Sequence, residues 1–234
     1  MYLVQESPLS MQESMDLDES LINLDLDEPV LRIYCPQKPV LTLGRFQKPE
    51  IEMDLNFVRE AGIECARRIT GGKALLHDGG ITYTIVVPRV LVSDTVSDSY
   101  RELSLPVYNA ISSLEPRVNW PGKADCNGTS LGFSACFAQQ EVETVTFCGR
   151  KVVGSAQRRN RYRVLQHGEI NVMKPSLSEP WRLFVGIKPE EYQARVGYLN
   201  HLNREELIAV LKKHFAQSFG TLKPLFRKGS LWSQ

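Results

Sequence analysis

The chain has 234 residues, 42% hydrophobic and 24% charged, an ordinary globular composition long enough to bury one large core. Its 28 basic side chains balance 27 acidic ones at a net charge of +1, which argues against a nucleic-acid protein built on a broad basic face. No apolar run approaches the ~20 residues that span a bilayer; the longest, ITYTIVVPRVLV, is interrupted by Pro88 and Arg89, so no membrane association is expected.

Ser10 and Glu13 form a capping pattern that opens a helix through about Asn23, with Met11, Met15, Leu17, Leu21 and Ile22 as its apolar stripe. LRIYC and PVLTLGRF read as strands, and Asp54 caps a short helix that ends at Gly62. IECARR, ALLH and ITYTIVV then read as a β-meander with the glycine loop ITGGK at its edge, Ile81, Tyr83, Ile85 and Val87 sharing one face. A helix from about Ser97 to Leu114 follows, and then a loop-rich stretch. VETVTFCG and RKVVGSA form a hairpin turned near Cys148 and Gly149, and RYRVLQHGEINV extends the sheet. Asn203 and Glu206 cap a last helix lined by Leu207, Leu211, Phe215 and Phe219 and stopped by Gly220. The expected class is α+β, one catalytic domain over residues 1–220 with a mixed sheet flanked by helices. Residues 221–234 are expected as a C-terminal tail, RKGSLWSQ being its loose end.

Five cysteines without a CxxC pair, and no signal peptide, point to free thiols in the cytoplasm. The histidines His77, His167, His201 and His214 lack ligand spacing, so no metal site is expected. Cys136, in SACFAQ, precedes Lys151, in GRKVVGSAQRR, by fifteen positions. A thiol can hold an acyl group as a thioester, and a nearby cation favours its thiolate and polarises a carbonyl. A buried inert cysteine and a solvated lysine are the plain alternatives. Cys126 in a loop and Cys148 at a turn are less well placed as nucleophiles. Gly154, Ser155 and Ala156 are small enough for a chain-like ligand to lie along the backbone. Gly71 and Gly72 offer backbone N–H groups to an oxyanion, or simply make a turn. Arg67 and Arg68 alternate across a strand, so at most one faces a pocket and the other is solvated or ion-paired; Arg68 is counted with the binding residues. His77 and Asp78, adjacent on a strand, point to opposite faces and do not form a dyad.

RRITGGKALLHDGG resembles the signature of the biotin/lipoate A/B protein ligase superfamily, in its lipoate ligase and octanoyltransferase branch. MQESMDLDESL, LTLGRFQKPE, GRKVVGSAQRR and LQHGEI match in the family's order, over most of residues 1 to about 219. The resemblance implies an acyl pocket lined by Gly71, Gly72 and His77, with Lys151 on the acyl carbonyl. SACF ahead of GRKVVGSAQ is similar to the cysteine-dependent octanoyltransferases. That likeness implies that Cys136 takes an acyl group from acyl carrier protein and passes it to a lysine of a lipoyl domain, without a cofactor. Acceptors of that kind are the lipoyl domains of 2-oxoacid dehydrogenases and the glycine cleavage H protein. The alternative is a lipoate ligase that uses ATP and magnesium and works with a separate accessory partner. A third possibility is a degenerate relative that only binds acyl groups or lipoylated proteins. Lys73, where the family often has a small residue, faces solvent or meets an acidic carrier or a phosphate.

Overall fold

Ser10 opens the first helix as expected: its hydroxyl accepts from the amide of Glu13, whose carboxylate reaches back 2.8 Å to the amide of Ser10. The computed structural model, which describes residues 1–5, 8–120, 144–228 and 231–233, starts with β1 (Tyr2–Gln5) and that helix, α1 (Met11–Ile22). Two strands follow, β2 (Val30–Tyr34) and β3 (Val40–Leu43), then the short helices α2 (Pro49–Glu52) and α3 (Leu55–Glu60). Asp54 caps α3 through the amide of Phe57 at 3.0 Å. Next come β4 (Glu64–Arg67), β5 (Leu75–His77), β6 (Ile81–Pro88) and the long helix α4 (Val96–Leu114).

The remainder comprises β7 (Val118–Asn119), β8 (Thr146–Phe147), β9 (Arg150–Lys151), β10 (Val153–Arg159) and β11 (Arg163–Ile170). It closes with α5 (Pro189–Arg195), α6 (Arg204–Phe219), β12 (Lys223–Lys228) and β13 (Leu231–Ser233). Seven strands form a mixed sheet in the order β10-β11-β6-β2-β1-β12-β13, and β4-β3-β5 form a smaller one. The expected alternation along β6 divides two cores. Ile81, Tyr83, Ile85 and Val87 pack with Leu103, Val107 and Ile111 of α4 and Leu207, Leu211 and Phe215 of α6. Val86 instead joins Leu17 and Leu21 of α1 on the opposite face. Among the described residues no helix is long and apolar enough to cross a membrane.

Three expectations need correction. The glycine loop does not close a meander. β4 runs parallel to β3 and β5 antiparallel to it on the other side, so β3 separates the two strands that the loop joins. Gly79, at φ 81°, then turns the chain out of the small sheet and β6 enters the large one.

The hairpin does turn at Cys148 and Gly149, whose φ angles of 50° and 75° are the paired left-handed values of a tight two-residue turn. Its second strand, however, divides at Val152. β9 stays with β7 and β8, while β10 joins the large sheet.

The end expected to be loose is paired. β12 runs parallel to β1 and β13 folds back on β12. The edge of β1 carries backbone donors and acceptors that need partners, and burying Leu225 secures the strand that supplies them.

Candidate active site

The register between β10 and β11 sets Gly154, Ser155 and Ala156 opposite Glu169, Gly168 and His167. This is where two sequence motifs, GSA and HGE, become one wall. Gly168 has no alternative here: a Cβ would lie 2.5 Å from Ser155 Oγ and 2.6 Å from the Gly154 carbonyl. The cavity in front of this wall lies between the large sheet and the layer made by α1 and the small sheet. Arg68, His77, Gly154, Ser155 and Ala156 all line it. Met15 of α1, Thr42 of β3, Leu75 of β5, Thr82 of β6 and His167 and Gly168 of β11 complete the lining.

Gly71 and Gly72 do not line the cavity and instead stand beside it. Gly72 takes φ 88°, a value that favours glycine, and its carbonyl lies 2.0 Å from where a Cβ on Gly44 would be. Gly71 faces open space. Arg68, 4% exposed, donates to the carbonyls on both sides of Gly72, Gly71 at 2.9 Å and Lys73 at 2.6 Å. Arg67 is not merely solvated: its guanidinium donates to the carbonyls of Gly44, Arg45 and Gln47, with no ion pair among the described residues. Lys73 pairs with Glu52 at 3.1 Å.

Lys151 is 5% exposed, at the foot of the strand run that reaches the cavity three residues later at Gly154. Its backbone is clamped, the carbonyl accepting from the Gly197 amide at 2.8 Å. Lys151 is not among the residues that line the cavity. Cys136 and Cys126 lie outside the described residues.

Two buried Thr–His–carboxylate chains reach the cavity, whose lining includes His167 of one and His77 and Thr42 of the other. In one, His167 Nδ1 lies 2.8 Å from Asp18 Oδ2 and Nε2 lies 2.7 Å from Thr70 Oγ1. In the other, His77 Nδ1 lies 2.9 Å from Glu169 Oε2 and Nε2 lies 2.9 Å from Thr42 Oγ1. Asp78 is turned away as expected and accepts from the amides of Ser176 and Leu177. Burial pushes the Asp18 carboxyl up, but His167, Arg32 and Thr84 outweigh it and hold it below the usual range. Burial lowers His167 despite the pull of Asp18, so the ring is neutral beside an ionised carboxylate. The hydrogen on Nδ1 is then assigned from the network, which makes Nε2 the acceptor of the Thr70 hydroxyl.

Sequence reading left His167 aside and did not list Glu169, although the signal was present. Two residues apart on one strand, they share a face. The partners of His167, Asp18 and Thr70, carried no such local signal.

A more open groove lies where β1 and the start of α1 meet β2 and β3, lined in part by Tyr34, Cys35 and Lys38. Burial raises the Cys35 thiol there, which suppresses the thiolate needed for acyl chemistry.

Residues 10–220 match the lipoyl protein ligase A/B catalytic domain, and the chain belongs to that family. A relative named octanoyltransferase LipM from Carboxydothermus hydrogenoformans is 32% identical over 92% of this chain and 84% of its own length. Another of that name, from Clostridioides difficile, is 29% identical over 87% and 80%. Among solved structures, a lipoate-protein ligase A bound with ATP superposes with a TM-score of 0.79 at 22% identity, over 97% of this chain and 89% of its own. A lipoate protein ligase of T. acidophilum with bound lipoic acid gives 0.77 at 22% identity, over 97% and 90%. These two likenesses concern the fold: a large mixed sheet flanked by helices.

Proposed function

We propose that the chain is an octanoyltransferase of protein lipoylation, which moves an octanoyl group from acyl carrier protein to a lysine of a lipoyl domain. The carrying observation is the cavity that gathers Arg68, His77 and the Gly154–Ala156 run. Relatives named octanoyltransferase, similar over most of the chain, support the same reading. In this reading no nucleotide is needed. Exchange of one thioester for another is nearly isoenergetic, and amide formation from a thioester runs downhill.

In this reading the Cys136 thiolate attacks the carrier thioester. A C–S bond forms at the carbonyl carbon, the old C–S bond breaks, and the carrier leaves as its thiolate, which takes a proton from solvent. The acceptor lysine, having shed a proton, then attacks the Cys136 thioester. A C–N bond forms, the C–S bond to Cys136 breaks, the nitrogen gives up a second proton to solvent, and the thiolate is returned. The Lys151 ammonium faces the developing oxyanion in both steps. Cys136 enters on its SACF motif alone, and the cytoplasmic setting on the free-thiol reading of the cysteines.

The test compares octanoyl-carrier protein with free octanoate plus ATP and magnesium, with a lipoyl domain as acceptor. Transfer from the carrier, with a mass gain mapped to Cys136, is the expected result. Full transfer by Cys136→Ser would overturn the mechanism. Activity from free octanoate with pyrophosphate release would make the chain a ligase.

A further inference from the structure

A loop of two glycines has little of its own to hold its shape, and this one is held from beneath. The Arg68 guanidinium reaches the Gly71 and Lys73 carbonyls, while its Nε–H donates to Thr70 Oγ1 at 3.1 Å. A hydroxyl that accepts there has its own proton to place, and His167 Nε2 lies 2.7 Å away. The ring's other nitrogen donates to Asp18, whose oxygens also accept from Arg32 and from the Thr84 hydroxyl. Asp18, Arg32, Arg68, Thr70, Thr84 and His167 are all buried. Every link donates in one direction, from the guanidinium through the hydroxyl and the ring to the carboxylate.

We propose that His167 is a positioning residue that acts through Thr70 and Arg68 to hold the Gly71–Gly72 loop in the shape that borders the acyl cavity. This rests on the reading of that cavity as the acyl site. A proton added at Nε2 reverses one link: Thr70 must then accept from both Arg68 and His167, and its own hydrogen loses its acceptor. The groups facing the ring are Asp18 of α1, Arg68 and Thr70 at the glycine loop, and His77 of β5, with Arg32 of β2 behind Asp18. Of these only Asp18 favours the added charge, while Arg68 and His77 oppose it.

The side-chain lengths of glutamine and asparagine separate this role from plain core packing. The amide of His167→Gln extends toward the place of Nε2 and can meet Thr70. That of His167→Asn stops near Nδ1 and meets only Asp18. Thr70→Val cuts the chain with little change of shape. Two readouts are taken on the full chain: hydrogen exchange of the 69–75 segment without substrate, and KM and kcat with octanoyl-carrier protein.

Thr70→Val and His167→Asn should lose exchange protection in that segment. They should raise KM about tenfold, the effect of one lost hydrogen bond, with kcat little changed. His167→Gln should stay close to wild type on both. The wild-type KM should also rise in acid, and that of Thr70→Val should not. Unchanged exchange in Thr70→Val, or equal behaviour of the Gln and Asn variants, would overturn the proposal. If Thr70→Val does not fold, the Gln and Asn pair decides. If the wild type transfers no octanoyl group, the acyl reading fails, and exchange alone still decides whether the loop hangs on His167.

Discussion

The two Thr–His–carboxylate chains at the cavity share a design and differ in how their ends are anchored. Asp18 is 0% exposed and meets a full guanidinium, a threonine hydroxyl and an imidazole, so both of its oxygens are occupied. Glu169 is equally buried, but His77 and Thr82 both crowd onto Oε2, and Oε1 has no hydrogen-bond partner among the described residues. Oε1 instead lies against Gly80, 1.9 Å from where a Cβ would be. One chain ends in a satisfied ion pair and the other in a half-satisfied carboxylate. The first is built to stay still, and the second stores the cost of an unmet acceptor beside the cavity.

Breaking the satisfied end should cost most. Asp18→Ala takes a buried acceptor from Arg32, His167 and Thr84 at once, and urea unfolding should show a loss of about 3–5 kcal/mol. Gly168→Ala comes next, because the new methyl presses on the Gly154 backbone that both chains pack beneath; overpacking of this kind costs about 1–3 kcal/mol. Glu169→Gln should cost less, about 1 kcal/mol, since it keeps one acceptor for His77 and gives up a carboxylate that was only half used. If Glu169→Gln proves as damaging as Asp18→Ala, the contrast between the two ends is wrong.

Titration sharpens the same contrast at smaller amplitude. The folded pKa of His167 is depressed, so its stabilising share is complete above the unfolded value of about 6.5 and is lost as pH falls below it. The folded pKa of Asp18 is also depressed, so its share is present above about 3.9 and is lost as pH falls through that range. Urea midpoints should therefore decline in two stages on acidification, and His167→Gln should remove the first. A first stage that persists in that variant would assign it to another group. The smallest effect is expected from Gly71→Ala. Its Cβ meets open space, so stability should hold within about 0.5 kcal/mol, while octanoyl transfer falls if the acyl chain passes beside the loop.

Much of this was legible because it is local. The Ser10–Glu13 and Asn203–Glu206 caps, the apolar face of β6 and the turn at Cys148–Gly149 each follow from residues a few positions apart. Of the residues named for the site, Arg68, His77 and the Gly154–Ala156 run meet in one cavity, whereas Gly71, Gly72 and Lys151 border it or stand below it. What could not be read is what depends on pairing across the chain. Nothing near IECARR or ALLH says that β3 will slide between them, and nothing near LKPLFRK says that β1 lies open at its side. His167 finds Thr70 and Asp18 across 97 and 149 positions of sequence. A lone histidine on a strand gives no hint of which hydroxyl its ring will meet.

The break at Val152 gives the site a fixed measure. Lys151 belongs to one sheet and Gly154 to the next, with Val152 and Val153 between them, three steps along the backbone or roughly 10 Å at strand spacing. Both sides of the break are tied down: the Val152 amide donates to the Val145 carbonyl, and its own carbonyl accepts from the Asn171 amide. The offset between the Lys151 backbone and the start of the cavity wall is therefore a covalent spacer that repacking of side chains cannot stretch. Enlarging the cavity would change the space beside the wall, while the Lys151 backbone would keep its place. Inserting a single residue at Val152 would shift that scale by one step and turn either Lys151 or the small-residue wall to the opposite face.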